Sequence, residues 1–483
     1  MSTAMDLAPD ELASERPLVV DLDGTLIRGD LLMESGFALL SEAPLRVPAV
    51  LAALARGRAA LKARLASEVA LDVAHLPFNE TFLAWLRAER SRGRPLYLAS
   101  AADRRYVAAV ADRLGLFDGV FASDGATNLK GEAKARVLCA AFGEGCFDYA
   151  GNATADLPVW RQAGAVVAVN VSPSLRRTVL RRFPDATVMD PRRFDALDYL
   201  RAMRPHQWLK NLLLLVPGFA AHRFDGAMAL ACALAFVSFS LCASSVYLLN
   251  DLLDLRHDRQ HRTKRHRPFA AGRIDMLHGV AMCAAALAGA VAVGLWLPLP
   301  FLAVLGAYTA LTLAYSMALK RQPILDVITL AGLYGMRIVA GGAAVAVSLS
   351  PWLLAFSIFF FLCLALVKRG TELIDRLGHG GADPPGRGYR LADIAALQAM
   401  ATASGYVAVL VFILYINSPA VAGLYGHAER LWAIPGILLY WISRVLILTH
   451  RGEMHDDPVV FAARDRPSLI CAGLIALVVL ASI

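Results

Sequence analysis

A series of long apolar stretches, which begins near residue 205, limits the fold more than any other feature of the sequence. Each stretch has about 20 residues, the length that an α-helix needs to cross a bilayer. Inside a membrane only helices and closed barrels satisfy every backbone polar group. We therefore predict an all-α polytopic membrane domain with about nine transmembrane helices, at 206–222, 228–252, 276–296, 299–318, 324–346, 350–368, 394–416, 431–449 and 467–483.

The residues before this series have frequent charges and short apolar runs, although the whole chain is 57% apolar and 18% charged. This shift predicts two domains, 1–195 and 200–483, joined by a charged connector. The acidic start, MSTAMDLAPDELASERP, lacks the apolar core of a signal peptide, which predicts a cytoplasmic N-terminal domain. Lys and Arg are concentrated in the loops that would share its side, as expected for a multi-pass protein of the inner (cytoplasmic) membrane.

The N-terminal domain contains an apolar run that ends in two aspartates, Asp21 and Asp23, within PLVVDLDGTL. Similar runs, one of which ends at Ser100, alternate with helical stretches. This alternation predicts an α/β domain with a doubly wound parallel sheet, whose strand ends carry the site. Phosphoryl transfer to a carboxylate needs a nucleophilic Asp, a nearby acid/base, and a hydroxyl and a Lys that hold the phosphate. The residues that fit are Asp21, Asp23, Ser100 and either Lys130 or Lys134.

Taken in order, DLDGTL, the strand ending in Ser100, KGEAK and GNATAD resemble the haloacid dehalogenase superfamily of phosphatases over residues 17–185. The resemblance implies a helical cap at about 29–92. It implies Asp21 as the nucleophile, Asp23 as the acid/base, and Ser100 and Lys134 as phosphoryl ligands. It also implies a Mg²⁺ site formed by Asp21, Asp23, Asn152 and Asp156.

Asn152 departs from the pattern of this superfamily, which usually has Asp at that position. Its amide keeps an oxygen for Mg²⁺ but carries no charge, which predicts weaker metal binding. Two interpretations stay open: an active phosphatase, or a domain kept for structure or regulation.

The second predicted span ends in NDLLDLRHDRQHRTKRHRP. Asn250, Asp254 and Asp258 recur at intervals of four residues and share a helical face, with Asp251 beside them. Carboxylates at the end of a span are costly and usually functional, and several oxygens on one face suit Mg²⁺ bound to substrate phosphates. The basic run that follows suits the phosphates themselves; its candidate ligands are Arg262, Lys264 and Arg267. We do not expect a nucleic-acid site, because this run adjoins a bilayer.

Further charged residues lie in or beside the later spans. Asp326 closes the segment YSMALKRQPILD, and Arg337 follows in the same predicted span. A buried Arg in a membrane helix needs an anion or a carboxylate partner. Taken singly, such residues also fit interfacial snorkelling. The remaining candidates for substrate binding are Lys210, Asn211, Asn250, Tyr315, Lys320, Arg337, Lys368 and Arg369.

The NDxxDxxxD pattern and the number of spans resemble the UbiA superfamily of intramembrane transferases over residues 200–483. RPHQWLKN, YSxxLKxxxxxD, the pair Lys368 and Arg369 with Glu372 nearby, and DPVVFAARDR look like the decaprenyl-phosphate phosphoribosyltransferases. This resemblance implies transfer of phosphoribose from phosphoribosyl pyrophosphate to a polyprenyl phosphate lipid in the bilayer. Mg²⁺ would be held by Asp251, Asp254 and Asp258, and Asp326 is a candidate for stabilising positive charge at the reacting carbon.

Other functions fit parts of the same pattern. A prenyltransferase that moves a polyprenyl group from its pyrophosphate to an aromatic acceptor would use the same aspartates, since both reactions expel pyrophosphate. A transporter or a membrane-anchored binding module would also carry intramembrane charges, but it would not need a carboxylate face followed by a basic run. With the favoured reaction, the phosphatase-like domain could remove the 5-phosphate from the product.

Overall fold

The structure, a computed structural model, describes residues 16–190, 195–222, 224–379, 383, 388–418, 421, 424–454 and 457–483. The acidic N-terminal segment, on which the predicted absence of a signal peptide rests, lies outside these residues. The chain forms two compact units. One comprises Met1–Ala202 and Leu248–Ala281, and the other comprises Met203–Tyr247 and Met282–Ile483. The first unit therefore includes the aspartate motif of the membrane region as well as the N-terminal domain.

A six-stranded parallel sheet forms the centre of the first unit, in the order β3-β2-β1-β4-β5-β6. This confirms the predicted doubly wound α/β fold. The strand order reverses at β1, and ligands bind at the carboxyl ends of the strands at such a point. The strands are Leu18–Asp21, Leu96–Asp103, Gly119–Ser123, Asp148–Gly151, Val166–Val169 and Thr187–Met189.

Hydrophobic cores lie on both faces of this sheet, because successive side chains of a strand point to opposite faces. In β1, Leu18 and Val20 belong to one core and Val19 to the other. The helices that cover the sheet or extend from it are α1 Leu31–Glu42, α2 Val47–Ala52, α3 Arg58–Glu68, α4 Glu80–Ser91, α5 Arg104–Leu114, α6 Glu132–Phe142, α7 Leu157–Gln162, α8 Pro173–Arg182 and α9 Ala196–Met203. Helices α1 to α3 lie within the range in which the sequence predicted a cap.

Seven helices of the described chain are long and apolar enough to cross a membrane, which confirms the polytopic all-α region. They are built on α11 Gly226–Leu253, α13 Met276–Gly294, α14 Leu299–Met317, α15 Leu325–Ala344, α16 Pro351–Gly378, α17 Ile394–Ile416 and α18 Ala433–His450. The shorter apolar helix α20 spans Arg466–Ser482, and short helices occupy Val216–Ala220 (α10), Leu255–Gln260 (α12) and Pro458–Ala462 (α19). The predicted number of nine spans was thus approximate.

The first predicted span, 206–222, does not form a long α-helix. The chain instead forms a 3₁₀ helix over Pro205–Leu215, followed by the short α10. Pro217 has no N–H to continue a helical ladder, and proline also disfavours the α conformation of the residue before it. A sufficiently apolar composition therefore does not produce a spanning helix here.

A buried charge network joins α4 to the sheet. Arg94 contacts Glu89 (2.8 Å) and Asp148, and all three side chains are at most 7% exposed. Removing one member of a buried ion network leaves an uncompensated charge, which costs about 3–5 kcal/mol. An exposed pair such as Arg90 and Asp118 contributes only about 0–1 kcal/mol.

We expect Arg94→Ala to lower the free energy of opening of β1 and β4 by about 3–5 kcal/mol, because Glu89 and Asp148 lose their cation. Amide hydrogen exchange at Val19, Val20 and Ala150 measures this change. The matched control, Arg90→Ala, should change it by less than about 1 kcal/mol. Equal effects of the two variants would show that the buried network contributes no more than a surface pair.

Candidate functional sites

Asp21 ends β1, and Asp23 follows in the turn that leaves it. Lys134 of α6 donates a hydrogen bond to Asp21 Oδ1 (2.6 Å). The Ser100 hydroxyl of β2 donates to Asp23 Oδ2 (3.2 Å). The structure thus brings together residues from three separate sequence motifs, and of the two lysines that the sequence left open it places Lys134 against Asp21.

Asp156 organises the loop that follows β4. Its Oδ2 accepts hydrogen bonds from the backbone N–H groups of Asn152 (3.0 Å) and Ala153 (2.9 Å). Its Oδ1 accepts from the Tyr149 hydroxyl (2.9 Å), which in turn accepts from Lys134 (2.8 Å). Tyr149, which the sequence analysis missed, therefore links the lysine to the acidic loop. Its only signal in the sequence is a hydroxyl within a short buried strand.

The carboxylates at this strand end are crowded. Burial raises the pKa of Asp21 to about 6; Lys134 opposes this shift and Asp156 adds to it. Burial, followed by the charge of Asp30, raises the pKa of Asp23 to about 7. A cation would relieve this repulsion, and carboxylate and amide oxygens are ligands that Mg²⁺ accepts. The residue types of the site therefore fit Mg²⁺, although the described side chains contain no group of three His, Cys, Asp or Glu already within reach of one metal ion.

A cavity of about 320 Å³ lies over Asp21 and Asp23. Part of its lining comes from the N-terminal domain, including Lys62 and Lys130. The rest comes from the segment that follows the aspartate motif, namely Arg259, Phe269, Gly272, Ile274, Asp275 and Met276. A cavity of this size suits a small ligand. The phosphatase-like site is thus built from two parts of the sequence, one before and one after the membrane helix α11.

A buried ion pair fixes this second part of the lining. Arg259 donates to both carboxylate oxygens of Glu34 in α1 (2.7 and 2.8 Å) and to the Ala270 carbonyl (3.1 Å). The two charged side chains are 9% and 6% exposed. Bidentate Arg–carboxylate pairs combine charge with a fixed geometry. At Gly272, a Cβ would lie 2.6 Å from the Arg28 carbonyl oxygen, so only glycine permits this close approach.

Lys62 of α3 is a further cation that the sequence analysis missed. Its ammonium group donates to the Ala101 carbonyl (2.6 Å) and to Asn128 Oδ1 (2.9 Å). Burial lowers its pKa, while the neighbouring Asp23 opposes this shift. It lines the same cavity as Asp23, so the cap contributes positive charge to the site.

The aspartate motif keeps its helical register across a break. Helix α11 ends before Asp254 and α12 begins after it. The Asp254 N–H still donates to the Asn250 carbonyl (2.9 Å), and the Asp258 N–H donates to the Asp254 carbonyl (2.8 Å). Residues at intervals of four therefore stay on one face, as the sequence predicted.

Arg267 lies between two carboxylates of this motif, with Nη1 at 3.1 Å from Asp251 and 2.7 Å from Asp258. Predicted as a phosphate ligand, it has carboxylate partners in the structure. Burial raises the pKa of Asp258, and the charge of Arg267 opposes this shift.

Asn250 Oδ1 is buried without a hydrogen-bond partner in the described structure, and such an acceptor is costly. These oxygens fit a Mg²⁺ site. Two other predicted ligands follow: Arg262 is exposed and Lys264 is half-buried.

In the second unit, Asp326 is fully buried against Arg369. The Arg369 Nε lies 2.8 Å from Asp326 Oδ2. The Tyr315 hydroxyl donates to Asp326 Oδ1 (2.8 Å), and Arg369 also pairs with Glu372. Lys320 is half-buried in the turn before α15. The structure gives Asp326 a structural partner, and its predicted part in catalysis stays a prediction.

Arg337 of α15 is buried, and its hydrogen-bond partners in the described structure are neutral. Its guanidinium donates to Asn211 Oδ1 (3.0 Å), the Tyr308 hydroxyl (3.0 Å) and the Leu333 carbonyl (2.6 Å). It also lies 5.6 Å from the ring centroid of Tyr334. Among the described residues, no carboxylate forms an ion pair with it. The anion that the sequence analysis expected for this arginine is therefore not supplied by a carboxylate in this part of the chain.

Two other predicted cations, Lys210 and Lys368, share one carboxylate. Asp457 pairs with Lys210 and lies 3.8 Å from Lys368. The pKa of Asp457 is lowered: burial raises it, but the two lysines outweigh that effect. Lys210 also lies 5.6 Å from the Tyr334 ring centroid. Among the described residues, two lysines therefore share Asp457, while Arg337, on the same tyrosine ring, pairs with no carboxylate.

Residues 212–463 match the model of the UbiA prenyltransferase family. The chain belongs to the UbiA prenyltransferase family. Residues 18–161 match the haloacid dehalogenase-like hydrolases, so this UbiA protein carries a haloacid dehalogenase-like domain at its N-terminus. Both family resemblances seen in the sequence are thereby confirmed. The protein is an integral membrane enzyme of the transferase class with an added hydrolase-like domain.

Relatives match the chain to different extents. It is 37% identical over 463 residues to the uncharacterised protein y4nM of Sinorhizobium fredii, covering 95% of this chain and 90% of that protein. It is 38% identical over 179 residues to a decaprenyl-phosphate phosphoribosyltransferase of Mycolicibacterium smegmatis, covering 36% of this chain and 56% of that protein. Among solved structures, a UbiA homologue from Archaeoglobus fulgidus bound to GPP and Mg²⁺ aligns with a TM-score of 0.45 and 17% identity, covering 59% of this chain and 98% of that one.

The pair of Asp326 and Arg369 allows a test of whether the aspartate is structural. We expect Asp326→Leu and Arg369→Met each to destabilise the protein by about 3–5 kcal/mol, because either change leaves a buried charge unpaired. The double variant should be less destabilised than either single variant. Unfolding of the purified UbiA protein in mixed micelles measures these differences.

Additive losses in the double variant would contradict this coupling. Transferase activity of the folded double variant then addresses catalysis separately. Activity near that of the unmodified protein would exclude a catalytic part for Asp326, whereas a folded but inactive double variant would show that the pair of Asp326 and Arg369 is needed for activity.

Proposed function

We propose that this UbiA protein transfers phosphoribose from phosphoribosyl pyrophosphate to a polyprenyl phosphate, and that its N-terminal domain then removes the 5-phosphate from the lipid-linked product. The protein would lie in the inner membrane, with the N-terminal domain in the cytoplasm. One observation carries the coupling of the two reactions. The cavity over Asp21 is lined in part by residues 259–276, which directly follow the aspartate motif.

The aspartate motif supports the use of a pyrophosphate donor. Mg²⁺ held by Asp251, Asp254 and Asp258 would stabilise the departing pyrophosphate. The basic residues that follow would bind the donor's phosphates; they are Arg262, Lys264 and Arg267, with Lys320 in a later turn. Loss of pyrophosphate leaves positive charge on the anomeric carbon, and a carboxylate such as Asp326 would favour that charge.

The cations around Tyr334 support an anionic acceptor. Lys210 and Lys368 lie against the same carboxylate, Asp457, and Arg337 has only neutral hydrogen-bond partners, so among the described residues these three cations outnumber their carboxylate partners. Buried cations of a membrane domain need an anion, and a lipid phosphate supplies one. The acceptor oxygen is already negatively charged and can attack the anomeric carbon without a base.

In the second reaction, Asp21 would attack the 5-phosphate as the P–O bond to the ribose breaks. Lys134 holds Asp21 in place, and the Ser100 hydroxyl donates a hydrogen bond to Asp23. Asp23, with its pKa raised to about 7, can hold a proton at neutral pH and donate it to the departing ribose oxygen. Water would then release phosphate from Asp21, with Asp23 as the base.

The Mycolicibacterium smegmatis relative bears the name of the proposed transferase, but the match spans only 56% of its length. The activity of the whole protein is therefore a proposal. The rival reaction uses a polyprenyl pyrophosphate donor, in keeping with the description of the family as prenyltransferases. The choice of donor separates the two.

The full chain in lipid nanodiscs with Mg²⁺, polyprenyl phosphate and radiolabelled phosphoribosyl pyrophosphate should form a labelled lipid. Asp258→Asn should lower the rate of transfer by about a hundredfold or more, because the Mg²⁺ that binds the pyrophosphate would lose a charged ligand. Asp375→Asn, a change at a carboxylate that is 68% exposed, is the control and should have little effect. Turnover of a prenyl pyrophosphate with an aromatic acceptor, without use of the ribosyl donor, would refute the proposal.

Asp21→Asn should leave transfer intact and make the 5-phosphorylated lipid accumulate, because the nucleophile is lost. Phosphate release should fall by about a thousandfold or more. The exposed Asp185→Asn is the matched control, and chromatography of the labelled lipids separates the two products. If the unmodified protein, with Asp21 in place, leaves the 5-phosphate on its product, the phosphatase step is excluded.

A further inference from the structure

The cap contains an exposed apolar segment at residues 44–56, here called the cap elbow. Leu45, Leu51 and Leu54 are 94%, 55% and 48% exposed. They are three of the five exposed large hydrophobic residues among residues 16–190; the other two, Val137 and Leu180, stand singly. Soluble surfaces rarely group such residues, and a group of them marks a binding surface.

Helix α1 and the elbow together have the hydropathy of a membrane segment. Leu31–Glu42 and Pro44–Arg56 together pass the length and hydropathy test for a span, although they are bent by 117°. A sharply bent apolar pair within a cap that packs on a soluble sheet does not cross a bilayer. It does present an apolar edge of a kind that enters the boundary between headgroups and acyl chains.

The charge of the elbow fits an anionic surface. No Asp or Glu occurs between residues 43 and 67, whereas this stretch contains five Lys or Arg. Arg46 and Arg64 pair with Glu68, and Lys62 lines the cavity over Asp23. Arg56 and Arg58 are exposed and form no ion pair among the described residues. Basic residues that flank apolar side chains favour membranes with anionic headgroups.

Contacts within the first unit place α1 beside α12, the short helix that follows the membrane helix α11. Glu42, the last residue of α1, pairs with Arg256 (3.3 Å). A small cavity of about 30 Å³ is lined by Ala38 and Glu42 from α1 and by Leu253, the last residue of α11. The elbow begins two residues after Glu42, a distance of at most about 7 Å along the chain.

We propose that the cap elbow inserts its leucines into the leaflet at which α11 ends, and that Arg56 and the adjacent Arg58 bind anionic lipid headgroups. The lipid surface is favoured over a second copy of the chain, because the spans hold the domain beside a bilayer and the elbow has no acidic residue. This inference does not depend on which reactions the two sites catalyse.

A photo-crosslinking amino acid at position 45 or 51 of the full chain, in nanodiscs that contain phosphatidylglycerol, tests the proposal. Mass spectrometry should detect lipid adducts at these positions severalfold above those at positions 137 and 180, where the native residues are also exposed. The double variant Arg56→Gln, Arg58→Gln should lower the adducts severalfold, since one basic residue near an anionic surface changes affinity by about fivefold. Nanodiscs of phosphatidylcholine alone should give a similar loss.

The matched control is Arg176→Gln with Arg181→Gln, two exposed arginines beside Leu180, and it should leave the adducts at position 45 unchanged. Adduct yields that are equal at all four positions would refute insertion. Crosslinks from position 45 to a second protein chain, without lipid adducts, would assign the elbow to an interface between copies and overturn the proposal.

Discussion

The cost of burying charge governs how this chain is assembled. Among the residues that the structure describes, nearly every buried charged side chain contacts a group of opposite charge, because a charge taken out of water without such a partner is strongly destabilising. Arg94 joins α4 to the sheet, Arg259 joins the cap to the segment after the aspartate motif, and Arg369 joins two membrane helices. Arg337 is the exception among the buried arginines, since its hydrogen-bond partners are neutral. The pairing of buried charges thus shows which elements are held together by ion pairs, and Arg337 marks a place where an anionic ligand is expected.

The sequence predicted those parts of the fold that depend on local patterns. The buried strands next to the motifs, the polytopic region and the i, i+4 spacing of the aspartates were all correct. Local patterns were insufficient where structure depends on context. The edge strands Gly119–Ser123 and Thr187–Met189 are short and half-buried, so no long apolar run marks them in the sequence. The segment 206–222 is apolar enough to cross a membrane, but Pro217 interrupts a regular helix.

The candidate site was predictable to a similar degree. Asp21, Asp23, Ser100 and Lys134 come together because parallel strands end at one edge of the sheet. The pairing of Glu34 with Arg259 was not predictable, because these residues are 225 positions apart and neither was a candidate site residue. Only the folded chain shows that a loop between two membrane helices lines the phosphatase-like cavity. Long-range pairing of charges is therefore the information that a single sequence lacks.

The bidentate contact between Arg259 and Glu34 has a consequence for access to that cavity. Through this pair α1 is bound to α12, which lies between the membrane helices α11 and α13. A cap that moves relative to the sheet would therefore either carry α12 with it or leave Glu34 and Arg259 unpaired. A movement of the cap that widens the cavity over Asp21 would then also shift Asp258 of the aspartate motif, which lies on α12. A donor that changes the conformation of this segment would in turn change access to the cavity over Asp21, without contacting it.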